Sequence, residues 1–221
     1  MREIKEFHRH DLPHYQQPGQ AYFITWCLKD AIPAKAFKTY SERMEFLQAR
    51  IEMNKKEKVE KSIIETLEQE FKTTRRKYMK AFDDMLDADR NPSVNLSKPA
   101  NTSIIIESLN YWEGRKLHNC AYAIMNNHVH WVFETLEKDE NGIPVYLEKI
   151  MHSVKRSSAY KINKQENRAG NLWQKESFDT TIRNQVHMYN AISYTLNNPV
   201  SAGLVSDWKL WPGTYYEFGE F

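Results

Sequence analysis

The spacing of apolar positions changes character along the chain, and each change marks a different kind of element. The run Tyr22-Phe23-Ile24-Thr25-Trp26-Cys27-Leu28 is aromatic and β-branched without interruption, which predicts a strand. Two further runs, 116–124 and 128–133, have the same character and are joined only by Met125-Asn126-Asn127, which predicts an antiparallel hairpin. Between the first strand and this pair, residues 41–89 contain neither Gly nor Pro. Their apolar positions Met44, Leu47, Ile51, Ile63, Ile64, Leu67, Phe71 and Tyr78 recur at helical spacing. One or two long, largely exposed helices are expected there. A shorter helix should be capped by Thr102 or Ser103, run through Ile106, Leu109 and Trp112, and close at Gly114. Pro144 should open another, with Leu147, Ile150, Met151 and Val154 on one face. A last helix starts near Gln185 and is expected to end near Asn198, because a residue before proline disfavours helical geometry. The tail from Trp208 onward should cover a sheet edge or a groove, and the stretch holding His8, His10 and His14 should be an irregular arm. This order predicts one α+β domain over 1–221 with a mostly antiparallel sheet and the charged helices inserted in it.

Composition narrows the class only a little. The 221 residues carry a formal charge of +2 and a pI near 8.4, which suits nucleic acid without demanding it. No stretch is apolar enough for a bilayer span or a signal peptide, so a soluble, cytoplasmic protein with no membrane partner is expected. Cys27 and Cys120 lie in apolar runs without metal-ligand spacing and should be reduced core residues. Within 41–89 acidic and basic residues nearly balance, as on a solvated face; the basic patch from Lys72 to Lys80, with Arg75, Arg76 and Lys77, is the part expected to touch phosphate.

The chemistry concentrates at His128-Val129-His130. Strand residues two apart share a face, so the two imidazoles stand side by side and suit one divalent ion. Tyr194 and Asn198 are one helical turn apart and share a face as well. If the two faces meet, the Asn198 carboxamide supplies a third ligand and the Tyr194 phenol lies beside whatever phosphate the ion polarises. Tyr189 is nearly as good a candidate on spacing alone.

Four blocks then match a known group in order. They are Asp11-Leu12-Pro13-His14 with Pro18-Gly19 and Tyr22-Phe23-Ile24-Thr25, then Met125-Asn126-Asn127-His128-Val129-His130. Gly170-Asn171-Leu172-Trp173-Gln174 with Phe178-Asp179 and Ile182-Arg183 follows, and finally Tyr194 with the stretch from Asn197 to Val205. In these the chain resembles the REP-associated tyrosine transposases, a branch of the HUH single-strand transposases; 41–89 falls outside the match. The resemblance implies a ferredoxin-like sheet, His128 and His130 as metal ligands, Asn198 as the amide ligand, and Tyr194 as nucleophile. It also implies Mg²⁺ or Mn²⁺, a single-stranded or hairpin DNA partner, and a 5′-phosphotyrosine formed by cleavage and rejoining. Lys155, Arg156, Arg168 and Arg183 are the candidates for backbone contacts and Trp173 for base stacking. A monomer is expected, a dimer being the alternative. Where the group commonly has Ile-Glu after the tyrosine, this chain has Thr195-Leu196, and Asn126 replaces its usual proline. The competing readings are a domesticated, non-catalytic nucleic-acid-binding protein on the same fold, a hydrolase using water, and a helical scaffold built on 41–89.

Overall fold

A computed structural model describes residues 7–9, 13–15, 17–32, 38–88, 92–175 and 177–218, with only the backbone course for 7–9, 13–15 and 38–41. His10, Asp11 and Leu12 of the N-terminal stretch, and 89–91 of the expected loop, lie outside the described residues. The elements are β1 (Phe7–Arg9), β2 (Pro13–Tyr15), β3 (Ala21–Cys27), α1 (Lys38–Lys56), α2 (Lys61–Ala88), α3 (Pro99–Asn110) and β4 (Leu117–Ile124). They continue with β5 (His128–Thr135), α4 (Leu147–Gln165), β6 (Phe178–Ile182), α5 (Gln185–Ser201) and β7 (Thr214–Tyr216).

Five strands form one sheet in the order β6-β3-β5-β4-β7, and every neighbouring pair is antiparallel. The β4–β5 hairpin closes through Met125 N–H donating to the His128 carbonyl. Leaving aside α1 and α2, the path β3-α3-β4-β5-α4-β6 has the βαββαβ connectivity of a ferredoxin-like fold. Alternation divides the layers. Val129, Trp131 and Phe133 of β5 and Tyr22, Ile24 and Trp26 of β3 face the main core with α3 and α4, which pack against each other. Phe23, Ala121 and Val132 face the opposite way, toward Ile192 and Leu196 of α5. The tail does cover an edge: β7 pairs with β4. Among the described residues no helix is long and apolar enough to cross a membrane.

The charged segment is two helices with different anchoring. Tyr78 and Phe82 of α2 set their rings edge-on to Phe178 of β6 at 4.9 and 4.3 Å, and Asn127 Nδ2 donates to the Leu86 carbonyl at 2.9 Å. Arg75, expected to touch phosphate, is instead used internally: its Nη2 donates to the Asp179 carbonyl and to Thr180 Oγ1. In contrast, Met44 of α1 reaches the main core, while its Leu47 and Ile51 pack with Leu67 of α2 in a small cluster of their own.

Several boundaries differ from expectation. Pro99 starts α3 at its first turn, where a missing N–H costs nothing, so Thr102 and Ser103 lie inside the helix and donate to the carbonyls of Leu96 and Pro99. Likewise α4 begins at Leu147, and Pro144 instead lies in a bridge with Lys138. Helix α5 runs through Pro199 to Ser201, because burial of Leu196, Asn198 and Pro199 outweighs the one helical bond that a proline near the end forgoes. The N-terminal arm is also more regular than expected, since β1 and β2 pair with His8 opposite His14.

Docking of α2 is expected to depend on Phe82. Phe82→Ala should cost about 3–5 kcal/mol in urea unfolding, whereas Phe46→Ala, on the exposed face of α1, should stay within about 0.5 kcal/mol. Equal losses from both would show that α2 is not packed on β6.

Candidate functional site

The register of β3 on β5 sets the histidines in place. His130 stands opposite Thr25, and His128 opposite Cys27. Because Val129 and Trp131 enter the main core, His128 and His130 must turn to the α5 side, and both are buried. His128 Nδ1 lies 2.7 Å from Asn127 Oδ1, and His130 Nδ1 lies 2.8 Å from Thr25 Oγ1. An amide oxygen only accepts, so with the side chain in this orientation His128 carries its proton on Nδ1 and offers a lone pair at Nε2. The two Nε2 atoms are 3.0 Å apart. A threonine hydroxyl can give or take, so His130 is free to present either an N–H or a second lone pair to its neighbour. Burial drives the His128 imidazole down to about 3 and His130 well below its ordinary value, with the adjacent His128 adding to the fall at His130. Both rings are therefore neutral, the form that binds metal.

Helix α5 brings the rest. It is capped by Asn184, whose side chain accepts from His187 N–H. Its Ile192 and Leu196 seat it on the sheet, which turns Asn198 under the histidines and Tyr194 toward the rim. Asn198 is near enough to both imidazoles to favour their protonation slightly, yet its Oδ1 is buried without a hydrogen-bond partner. The Tyr194 ring is 5.3 Å from His130 and 5.6 Å from Phe23, edge-on to each, and 38% exposed. Tyr189, the alternative on spacing, is 61% exposed. Burial, followed by the Asp83 and Asp87 carboxylates, holds the Tyr194 phenol well above its ordinary value, and the Tyr194 hydroxyl is hydrogen-bonded to Asp83 of α2.

These atoms fit a divalent cation. Nitrogens 3.0 Å apart can occupy neighbouring corners of one shell with bonds of about 2.1 Å. A buried carbonyl oxygen left unpaired costs about 1–3 kcal/mol, and a cation is a partner that the protein does not otherwise supply to Asn198. Among the described residues no group of three His, Cys, Asp or Glu side chains converges as a metal site. The candidate set is two imidazoles and an amide.

The other expected contacts do not gather at one place. Lys155 and Arg156 line a groove of about 420 Å³ between α4 and the loop 170–175. Lys155 is tied to that loop, donating to the Gln174 and Lys175 carbonyls, while Arg156 is exposed. Arg183 is exposed beyond β6, near His187, whose pKa is lowered by burial and then by Arg183 and Arg75. Arg168 is half-buried, with Nη1 enclosed and unpartnered. Trp173 lines the same groove as Lys155 and Arg156. It is 7% exposed, packs edge-on to Trp26 at 6.0 Å and donates to Ser158 Oγ. Leu196, at the position where the resembled group commonly has Glu, is fully buried against the sheet. Thr25, Asn127 and Asp83 were missed as site residues. Strand register could have found the first, and hydrogen-bonding capacity beside the histidine the second; nothing local marks Asp83.

Depressed histidines imply a stability that falls with acid. Below about pH 6.5 the unfolded chain takes up protons that the folded imidazoles refuse, so stability rises with pH across that range. For metal-free protein, unfolding free energy should drop from about pH 7 to pH 4 by up to about 1.4 kcal/mol per pH unit for each histidine. Asp83, raised to about 6, works in the opposite sense, so the comparison is with a His128→Asn/His130→Asn double variant, whose curve should be flatter. Parallel curves would mean that the imidazoles are solvated.

No family model matches this chain, and no curated protein sequence matches it. Among solved structures it is similar to a REP-associated tyrosine transposase bound to a REP hairpin, at 14% identity over 97% of this chain and 82% of that one, with a TM-score of 0.46.

Proposed function

We propose that this chain is a metal-dependent single-stranded DNA endonuclease and strand transferase that forms a 5′-phosphotyrosine through Tyr194 at hairpin or repeat DNA. One observation carries the reading: the Tyr194 ring lies 5.3 Å from His130, at the rim of a buried cluster in which two imidazole Nε2 atoms and the unpartnered Asn198 Oδ1 come together. A protein that only binds nucleic acid has no physical need to bury neutral lone pairs beside a half-exposed phenol. The order of the four sequence blocks supports the same reading.

In this mechanism His128, His130 and Asn198 would hold Mg²⁺ or Mn²⁺, which would supply Lewis-acid polarisation of the scissile phosphate. Asn127 and Thr25 aim the two imidazoles through their Nδ1 atoms. A neutral ligand set would leave the ion's charge for the phosphate. The edge contacts with Phe23 and His130 limit the Tyr194 ring to a narrow range beside the histidines. Attack conserves the phosphodiester's bond energy in the tyrosyl ester, and the free 3′-hydroxyl can later reverse it. The groove beside Lys155 and Arg156 is the proposed path of the strand's backbone.

The test is a denaturing gel of purified protein with labelled hairpin oligonucleotides carrying single-stranded flanks and Mn²⁺. An adduct that survives denaturation should form with the wild type, vanish in Tyr194→Phe, and fall by at least about 100-fold in His130→Ala. Cleavage that persists in Tyr194→Phe would assign the chain to hydrolysis by water. Binding without cleavage across a hairpin pool would assign it to the non-catalytic class.

A further inference from the structure

Tyr194 needs somewhere to put its proton, and the histidine cluster offers nothing suitable. A phenol carries its proton near neutral pH, so ionisation has to accompany attack. The imidazoles point their Nε2 atoms at each other, and their Nδ1 atoms are engaged with Asn127 and Thr25.

The inserted helix supplies a different group. Phe82 and Leu86 of α2 are buried, and Phe82 is fixed against Phe178 at 4.3 Å. That anchoring brings Asp83, next to Phe82 in sequence, to Tyr194 of α5, where it shares a hydrogen bond with the phenol hydroxyl. Both groups face a cavity of about 130 Å³ whose other walls include Phe23, Met79, Phe82 and Phe178. Apart from Thr25 these walls are apolar, which limits the water that competes for the carboxylate oxygens.

We propose that Asp83 is the proton acceptor for Tyr194, delivered to the site by the inserted helix α2. This rests on the function proposed above. In cleavage the Tyr194 Oη–H bond breaks and its proton passes to an Asp83 oxygen as Oη bonds to phosphorus. The bond from phosphorus to the 3′ oxygen breaks, and that oxygen takes a proton from solvent. In rejoining the 3′-hydroxyl attacks the phosphotyrosine and loses its proton to solvent, the Oη–phosphorus bond breaks, and Asp83 returns its proton to the phenolate. Desolvation, with Asp87 and Asp84 adding to it against the pull of Tyr194 and Lys80, raises the Asp83 carboxyl to about 6. A carboxylate of that basicity is ionised at neutral pH and accepts a proton more readily than an ordinary one. The inserted helices thereby gain a chemical role, since removing α2 removes the acceptor.

The experiment is single-turnover adduct formation with a hairpin oligonucleotide and Mn²⁺, comparing wild type, Asp83→Asn and Asp83→Ala. Asparagine keeps the shape and can still accept a hydrogen bond from Tyr194, but it cannot take the proton. Its rate should fall by about 100-fold or more, while hairpin affinity, read by fluorescence anisotropy, stays within about threefold. Formate is small enough for the space left in Asp83→Ala and should restore part of that variant's rate, which a purely structural role would not allow. Asp83→Asn reacting at the wild-type rate would overturn the assignment, and so would a slow Asp83→Ala that ignores formate. A wild type that forms no adduct would overturn the proposed function along with it. An adduct lost in Tyr194→Phe but formed normally by Asp83→Asn would overturn only the role of Asp83.

Discussion

The register between β3 and β5 is the constraint on which the rest of this structure depends. A slip of one residue would turn Trp131, Phe133 and Val129 out of the main core and drive His128 and His130 into it. The apolar residues of β5 thus hold the polar ones in place. Trp131 and Phe133 stack at 3.9 Å on one face, and their burial is what makes the opposite face available to two imidazoles.

That second face is costly on its own. Two neutral rings, a threonine hydroxyl and an amide oxygen are withdrawn from water together, and each must find a partner or remain unsatisfied. Asn127 and Thr25 satisfy the Nδ1 atoms, the two Nε2 atoms face each other at 3.0 Å, and the residual imbalance falls on Asn198 Oδ1. The same packing that carries the deficit also locates it. Ile192 and Leu196 seat α5 on Phe23, Ala121 and Val132, so Asn198 goes beneath the histidines and Tyr194, one turn earlier, stays at the rim.

The two inserted helices differ in what they contribute. Their exposed faces carry ordinary ion pairs such as Lys80–Asp84 and Lys55–Glu68, which stabilise little. The anchoring of α2 is aromatic, through Phe178, and is reinforced by Arg75 and by the Asn127 side chain. Asn127 is therefore a joint between the helix and the metal candidate, since its Oδ1 orients His128 while its Nδ2 holds the Leu86 carbonyl.

Much of this was legible in the chain itself. Alternation placed the β3 strand, the hairpin and both histidines on a common face, and helical spacing put Tyr194 and Asn198 on another, because those periods are local properties of the backbone. Local signals did worse wherever tertiary packing competed with them. A proline near the end of α5 was overridden by burial, and Arg75, whose charge suggested phosphate, is engaged by internal hydrogen bonds. What the sequence by itself determined was which residues share a strand or helix face. Which faces meet was decided only in three dimensions. The convergence of Asn198 on the histidines, and of Asp83 on Tyr194 from a helix more than a hundred residues away in sequence, comes from apolar burial, which is non-directional and leaves no local mark on the polar residues it brings together.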